Sequence, residues 1–183
     1  SSVNFMTVIR AQPSDFDRWV NFGNPEWAWE KVLPVYKRIE SDQDYPNHPS
    51  HGNSGPLFVK RRFPFNEVRL DGLEQAFIEG VMELGYPKVD DQNLPNPFGV
   101  SRTAYNVKEG RRQSAAVAYL GSVRGRSNLS IIAEALVHGL DVDGDKVTGV
   151  RYEKEGRIEK VLGDQVCLCA GTYGSPQVLM LSG

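Results

Sequence analysis

The sequence predicts a mixed α+β protein in which helices dominate the first two thirds of the chain and strands dominate the last third. Apolar residues recur at helical spacing most clearly over Glu67–Leu84. After Asn128 the chain becomes a succession of β-rich runs, separated by glycine-containing turns such as DVDGDKV and EKEGRIE. This change in composition predicts that the two parts belong to different structural layers.

Two short helices are predicted before residue 40. The first lies in SDFDRWVNFGNPEW, where Ser14 is a plausible N-cap and Gly23 ends the helix. The second lies in WAWEKVLPVYKRIESD, and Pro34 either begins it or kinks it. A turn-rich loop, YPNHPSHGNSGP, then leads to the strand-like run LFVKRRF.

The strongest helix pattern in the sequence covers Glu67–Leu84, and Gly85 with Pro87 closes it. Its apolar residues form a stripe of the kind that packs against a core. The stripe consists of Leu70, Leu73, Phe77, Val81 and Leu84.

Five strands are predicted in the last third of the chain, over Leu129–Ile132, Ala135–Val142, Val147–Lys154, Ile158–Leu162 and Gln165–Cys169. The two cysteines, Cys167 and Cys169, lie on the same face of the last strand, and we expect them to be buried small hydrophobes. Small residues then lead into a helix, with Ser175 as its cap and Pro176 in its first turn.

The charge balance excludes some classes of partner. Lys and Arg total 21 against 23 Asp and Glu, so the formal net charge is −2. This balance gives no electrostatic reason to expect nucleic acid or an anionic membrane as a partner. No apolar run approaches the roughly 20 residues that a membrane helix requires.

Several motifs resemble one enzyme family. The ending GTYGSPQVLMLSG resembles the second signature of the glucose–methanol–choline (GMC) oxidoreductases, and the opening SSVNFMTVIRAQPSDFDRW resembles the later part of the first signature. Val8 departs mildly from that signature, which usually has an aromatic residue or alanine there. The segments GNPEWAWEKVLPVYKRIE, HGNSGPL, RRQSAAVAYL and NLSIIAEALVHGL follow in the expected order. The resemblance therefore covers essentially the whole chain.

The resemblance implies FAD as the cofactor and assigns residues to it. Asn4, Phe5, Met6 and Thr7 match the stretch that runs along the flavin ring, and Val137 matches the position whose backbone contacts the adenine. Ala170 and Gly171 match residues that line the adenosine part of FAD. Without the family, Asn4 could simply cap a turn, while Met6 and Val137 could be core residues. We predict that these residues converge to line a flavin-sized groove.

The resemblance also implies a division of the chain. Residues 1–20 form the flavin-contacting segment, 21–127 a helical and loop-rich substrate-side region, and 128–183 a β-rich segment of the FAD domain. The family's G-x-G-x-x-G motif and catalytic histidine have no counterpart in the sequence. We therefore expect an internal fragment of a larger enzyme, without a catalytic residue of its own and inactive when made alone.

The implied activity is oxidation of a small-molecule alcohol, with hydride passing from the CH–OH carbon to the flavin. Two alternatives stay open: a lyase of the same fold that cleaves cyanohydrins, and a non-catalytic binding module. No residue indicates a particular alcohol, a compartment or an oligomeric state.

Three other features are expected to be structural. Asp42, Asp44, His48 and His51 have the side chains of metal ligands, but they match no standard spacing, and we expect a solvated loop near the FAD or the substrate entrance. Arg111 and Arg112 precede a helix that starts at Ser114. His138 is expected to be exposed or hydrogen-bonded.

Overall fold

The structure is a computed structural model of the 183-residue chain, and it describes residues 3–61 and 68–183. The chain forms two compact units, Ser1–Arg126 and Ser127–Gly183. Helices and short strands make up the first unit, and an antiparallel sheet with one helix makes up the second. The predicted mixed α+β fold is confirmed. Within the described part of the chain, no helix has the length and apolar character that crossing a bilayer requires.

Helix α1, Pro13–Asn21, and helix α2, Trp29–Ile39, pack through aromatic side chains. A 3-10 turn, Pro25–Trp27, joins them. The buried ring of Phe16 lies within 6.3 Å of three other rings, measured between ring centroids, and these belong to Trp19, Trp29 and Tyr36. Edge-on aromatic pairs of this kind add to the free energy gained by burying the rings.

The start of α1 differs from the prediction, because Gln12 and not Ser14 precedes the helix. Pro13 occupies the first helical position, where its missing N–H costs no hydrogen bond. The Asp15 carboxylate accepts the Gln12 N–H at 2.8 Å, so the cap comes from the third helical residue. Gly23 ends the helix as predicted, with a φ of 91°.

Pro34 lies inside α2, neither at its start nor at its end. Strand β1, Glu40–Asp42, follows directly and pairs in parallel with β2, Leu57–Val59, at the start of the predicted strand-like run. The loop between these strands folds back on the end of α2. A Cβ added at Gly52 would lie 1.8 Å from the Lys37 carbonyl oxygen, so only glycine permits this approach.

Helix α3, Val68–Glu83, is the longest helix among the described residues, as predicted, although Glu67 and the side chain of Leu70 lie outside them. The expectation that the apolar stripe forms the buried face of α3 is wrong. Leu73 and Phe77 are each 66% exposed, whereas Ile78 is 1% exposed. Hydrophobic spacing therefore identified the helix but not the side that it buries.

A short hairpin and a π-helix complete the first unit. Strands β3, Val107–Lys108, and β4, Arg111–Arg112, pair antiparallel. A π-helix, Ala116–Leu120, follows the buried Ser114, whose carbonyl accepts the Val117 N–H, in agreement with a helix starting there.

The second unit is an antiparallel sheet in the order β5, Leu136–Asp143; β6, Lys146–Lys154; and β7, Arg157–Leu162. These three strands agree with the prediction. The other two predicted strands are wrong, because 129–132 and 165–169 pair with no strand among the described residues. Cys167 and Cys169 are exposed and not buried, since no layer of the second unit covers them.

Helix α4, Gly171–Met180, begins four residues before the predicted cap. Ser175 lies within the helix, and its hydroxyl accepts the Ala170 N–H at 3.1 Å, so it supports the helix start from inside the second turn. Pro176 is also internal. The far end of α4 packs on β5, where the Leu140 N–H donates to the Ser182 hydroxyl at 2.8 Å.

Candidate functional site

The predicted flavin segment, Asn4–Thr7, is held by backbone pairing and leaves most of its side chains accessible. The Met6 carbonyl accepts the Asn106 N–H at 2.9 Å, and Thr7 forms an antiparallel bridge with Tyr105. Asn4, Phe5 and Thr7 are exposed. The backbone of this segment is therefore held by pairing, while its exposed side chains are accessible to a ligand.

Met6 adopts an unusual backbone conformation, with a φ of 69°. Residues other than glycine rarely occupy this left-handed region, and it persists where surrounding contacts enforce it, often at functional sites. Behind Met6, the buried side chain of Asn106 donates to the Gln113 carbonyl, while its Oδ1 has no donor among the described residues. A buried acceptor without a partner is uncommon in folded proteins.

The other three predicted site residues lie in the second unit. Val137 is on β5, two residues before Gly139, where the strand meets the end of α4. Ala170 and Gly171 form the start of α4 and are exposed. Gly171 has a φ of 85°, and the space where its Cβ would lie is open. The first amides of the helix have no intrahelical acceptor and so offer donors to a ligand.

The predicted convergence of all seven residues stays a prediction, because they belong to different units. Asn4–Thr7 is part of the first unit, whereas Val137, Ala170 and Gly171 belong to the second. Within each unit, the candidate residues are exposed, apart from Met6, which is half-buried.

Sequence reasoning missed a buried group of charged side chains in the first unit. The group, called the His51 cluster below, consists of Arg10, Glu40, Asp42, His51, Arg61 and Asp91, each no more than 5% exposed. The expected solvated loop is therefore wrong for Asp42 and His51. The pairing of β1 with β2 and the close approach at Gly52 bring these side chains inside. Their positions, which are spread from residue 10 to residue 91, gave no signal in the sequence that they would meet.

His51 lies at the centre of the cluster. Its Nδ1 is 2.8 Å from Glu40 Oε1 and 3.2 Å from Asp42 Oδ2, while Nε2 is 3.0 Å from Asp91 Oδ2. Both ring nitrogens therefore lie within ion-pair distance of carboxylates, an arrangement that favours the doubly protonated ring. Burial alone would lower the pKa of His51, but hydrogen bonds to Asp91 and Glu40 and the charges of Glu40 and Asp42 raise it to about 8.

Arg61 holds the other side of the cluster. Its Nε is 2.8 Å from Asp91 Oδ1, and its Nη2 is 2.8 Å from Asp42 Oδ2. Burial acts to raise the pKa of Asp91, but hydrogen bonds from His51 and Arg61 outweigh it and hold that pKa well below its usual range. The pKa of Asp42 is also lowered, since the bonds from Arg61 and the Tyr45 amide overcome the effect of burial.

Three side chains of the cluster are of types that can bind a metal ion. One potential ligand atom from each of Glu40, Asp42 and His51 lies within 4.8 Å of the other two. These atoms already contact cations of the protein. Within the cluster, three carboxylates face two guanidinium groups and the His51 imidazolium, so their formal charges cancel, and the more exposed Asp44 lies 3.6 Å from Arg61 at the border. We therefore assign the cluster as a neutral ion-pair network.

The remaining histidines are engaged elsewhere. His48 Nδ1 accepts the Ser50 N–H at 3.1 Å. His138 is exposed, and its Nε2 lies 3.0 Å from Glu153 Oε2, which agrees with the prediction for this residue. Neither histidine is among the individual residues assigned to the cofactor, although His138 is next to Val137 in sequence.

The family of the chain is shown by comparison with known proteins. A family model described as GMC oxidoreductase matches residues 1–183. The chain belongs to the GMC oxidoreductase family. The resemblance predicted from the two signatures is confirmed.

Two curated relatives match this GMC oxidoreductase chain over its whole length. An oxygen-dependent choline dehydrogenase of Photobacterium profundum is 34% identical over 184 residues, which are 32% of its length. A 5-(hydroxymethyl)furfural oxidase of a Methylovorus species is 35% identical over 184 residues, 34% of its length. The chain thus spans about a third of the length of these relatives.

Solved structures share the fold of the GMC chain. Pyridoxine 4-oxidase from Mesorbium loti is similar with a TM-score of 0.84 and 36% identity, over all of this chain and 35% of that one. An FAD-dependent oxidoreductase from Chaetomium thermophilum gives a TM-score of 0.83 at 24% identity, over 99% of this chain and 33% of that one, which shows the fold alone.

The candidate residues are compatible with a dinucleotide cofactor. The open helix start at Gly171 offers amide donors, and the unpartnered Oδ1 of Asn106 lies behind the accessible segment Asn4–Thr7. Taken unit by unit, the helix start in the second unit suits an anionic group, and the first unit presents exposed side chains at Asn4–Thr7.

Proposed function

We propose that this chain is the flavin-holding and substrate-side part of an FAD-dependent oxidoreductase that oxidises a CH–OH group. The observation that carries the proposal is the full-length match to GMC relatives at 34–36% identity. The relatives are named for choline, 5-(hydroxymethyl)furfural and pyridoxine, and each of these compounds carries a primary alcohol.

The residues of the chain have binding and orienting roles in this proposal. The segment Asn4–Thr7 lies along the flavin ring, and its paired backbone limits movement there. Val137, Ala170 and Gly171 bind the adenosine part. We also propose the division into 1–20 for flavin contact, 21–127 for the substrate side and 128–183 for the FAD domain.

Bound FAD supplies a hydride acceptor for the alcohol carbon. The hydroxyl proton must leave to a base at the same time, and the product is a carbonyl compound. We assign no base within this chain. His51 is enclosed by carboxylates, His48 accepts a backbone amide, and His138 pairs with Glu153. The base is therefore proposed to come from another part of the complete enzyme.

The complete polypeptide that contains this chain provides the test. Choline, 5-(hydroxymethyl)furfural and pyridoxine are added anaerobically to the purified yellow protein, and the visible absorbance of the flavin is recorded. Bleaching by at least one alcohol, with formation of the matching aldehyde, is the expected result. A yellow protein that no alcohol bleaches and that releases cyanide from cyanohydrins would instead support the lyase. A colourless protein that FAD does not bind would favour a non-catalytic module.

A further inference from the structure

The segment that starts at Asn4 ends in the His51 cluster. The Arg10 N–H donates to Asn93 Oδ1 at 2.8 Å, and Asn93 Nδ2 donates back to the Val8 carbonyl at 3.0 Å. The buried Arg10 guanidinium lies 2.6 Å from Glu40 Oε1 and also donates to the Ser50 carbonyl. The end of this segment is therefore anchored by charge as well as by backbone bonds.

Arg10 and His51 share a single acceptor atom. Glu40 Oε1 contacts Arg10 Nη2 at 2.6 Å and His51 Nδ1 at 2.8 Å, and it also accepts the Gly52 N–H at 3.1 Å. The position of this oxygen therefore depends on the charge of His51 and sets the position of the Arg10 guanidinium. Buried ion pairs of this kind are coupled, because removing one charge leaves its partner uncompensated.

We propose that His51 is a positioning residue of the flavin site: its doubly protonated ring fixes the Glu40 carboxylate, and through Arg10 it fixes the segment Asn4–Thr7 against the flavin. The inference rests on the proposed function, which assigns that segment to FAD. His51 itself contacts neither the flavin nor the substrate in this role.

The surroundings of the ring explain why its proton matters. The titratable and charged groups that face it or border the cluster are Glu40, Asp42, Asp44, Asp91, Arg10, Arg61, Tyr45 and His48. A groove of about 510 Å³, bordered also by Lys37 and Arg38, lies beside His51, whose side chain is itself fully buried. When the ring loses a proton, one nitrogen presents a lone pair to a carboxylate, and the balance of charge in the cluster is lost.

The experiment uses the complete flavoprotein, the variant His51→Gln and the control His138→Gln, which removes an exposed histidine paired with a single carboxylate. Side-chain ¹⁵N NMR of the wild type reports the protonation of His51, and visible circular dichroism reports the surroundings of the flavin. We expect an imidazolium at pH 7 and a change in both signals with a common midpoint near pH 8.

In His51→Gln, the flavin spectrum at pH 7 should already match the alkaline spectrum of the wild type, and the transition should be absent. His138→Gln should keep the transition. A neutral His51 at pH 6, or a bound flavin whose spectrum follows neither pH nor the His51→Gln substitution, would overturn the inference. If His51→Gln does not fold, the wild-type protein still tests the inference: the inference requires the midpoint of the ¹⁵N NMR titration to coincide with that of the flavin circular dichroism, and it fails if the two differ. If the complete protein binds no flavin although His51 is an imidazolium, the proposed function is contradicted. The positioning role of His51 then fails as well, because it rests on that function.

Discussion

At the scale of single residues, two adjacent aspartates, Asp90 and Asp91, are expected to contribute very differently to stability. Asp91 is 1% exposed and contacts both His51 and Arg61, whereas the neighbouring Asp90 is exposed. A buried carboxylate that neutralises two cations is costly to remove, because each cation then stays buried without its partner. An exposed carboxylate interacts mainly with water, and its removal changes little.

Replacing Asp91 by Asn should therefore lower the free energy of unfolding by about 3–5 kcal/mol. Asp90→Asn is the matched control, and its effect should stay within about 0.5 kcal/mol. Thermal or urea unfolding of the complete protein measures both variants. Equal effects of the two substitutions would show that the cluster is not a network of mutually dependent charges.

At the scale of elements, helix α3 shows how periodicity can identify a helix without identifying its buried side. Phe77 belongs to the apolar stripe but is 66% exposed, while the adjacent Ile78 is 1% exposed. Burial and not hydrophobicity decides the effect of truncation, since only a buried side chain leaves a cavity.

We expect Ile78→Ala to cost about 2–5 kcal/mol of stability and Phe77→Ala much less, although Phe77 is the larger side chain. The unfolding midpoints of the two variants in the complete protein provide the comparison. A larger loss for Phe77→Ala would mean that another part of the protein covers this face of α3.

The His51 cluster joins β1 to the loops that carry His51 and Asp91, so its protonation should couple those elements to pH. The pKa of His51 is raised from 6.5 to about 8, so the folded protein binds this proton more tightly than the unfolded chain. This contribution, about 2 kcal/mol, is complete below pH 6.5 and is lost as the pH rises through 8. Asp42 and Asp91 have lowered pKa values, so their contribution is present above pH 3.8 and is lost in acid.

Unfolding measured between about pH 6 and pH 9 should show stability falling toward the alkaline end. In His51→Gln that slope should disappear, while His138→Gln should retain it. Stability that rises over this window in the wild type would contradict the assigned direction of the His51 shift.

At the scale of the whole molecule, the chain leaves large apolar side chains exposed in both units. Tyr173 and Met180 on α4 are 91% and 82% exposed, and Leu162 on the edge strand β7 is 70% exposed. Such surfaces, together with an unpaired strand edge, favour association with other chains or with further structure of the same protein. The match to about a third of each relative accords with further structure of the same protein.

The 183-residue chain expressed alone should neither hold FAD tightly nor oxidise an alcohol. It contains no G-x-G-x-x-G turn for the pyrophosphate, and we assign no base within it. Absorbance of bound flavin after gel filtration, followed by anaerobic addition of primary alcohols, measures both properties. A yellow chain that alcohols bleach would show that a complete site lies within these residues.

The sequence by itself determined the family, the sheet of β5 to β7 and the extent of α3. Hairpin turns at Gly144 and Gly156 place adjacent strands in register, and the helical period of α3 persists over several turns. These are properties of short windows, in which backbone preference and turn chemistry are local. The resemblance to the two signatures also assigned Asn4–Thr7 and Gly171 to the cofactor, and that assignment stays a prediction.

The tertiary structure alone decided which side chains are buried. Arg10, Glu40 and Asp91 are far apart in sequence but lie in one cluster, and nothing in the local sequence of His51 distinguishes a solvated loop residue from a buried imidazolium. Likewise, Phe77 of the predicted stripe is exposed while Ile78 is buried, and 165–169 pairs with no strand among the described residues. Burial and sheet pairing depend on what distant segments bring to a residue, so they follow from the assembled fold and not from local preference.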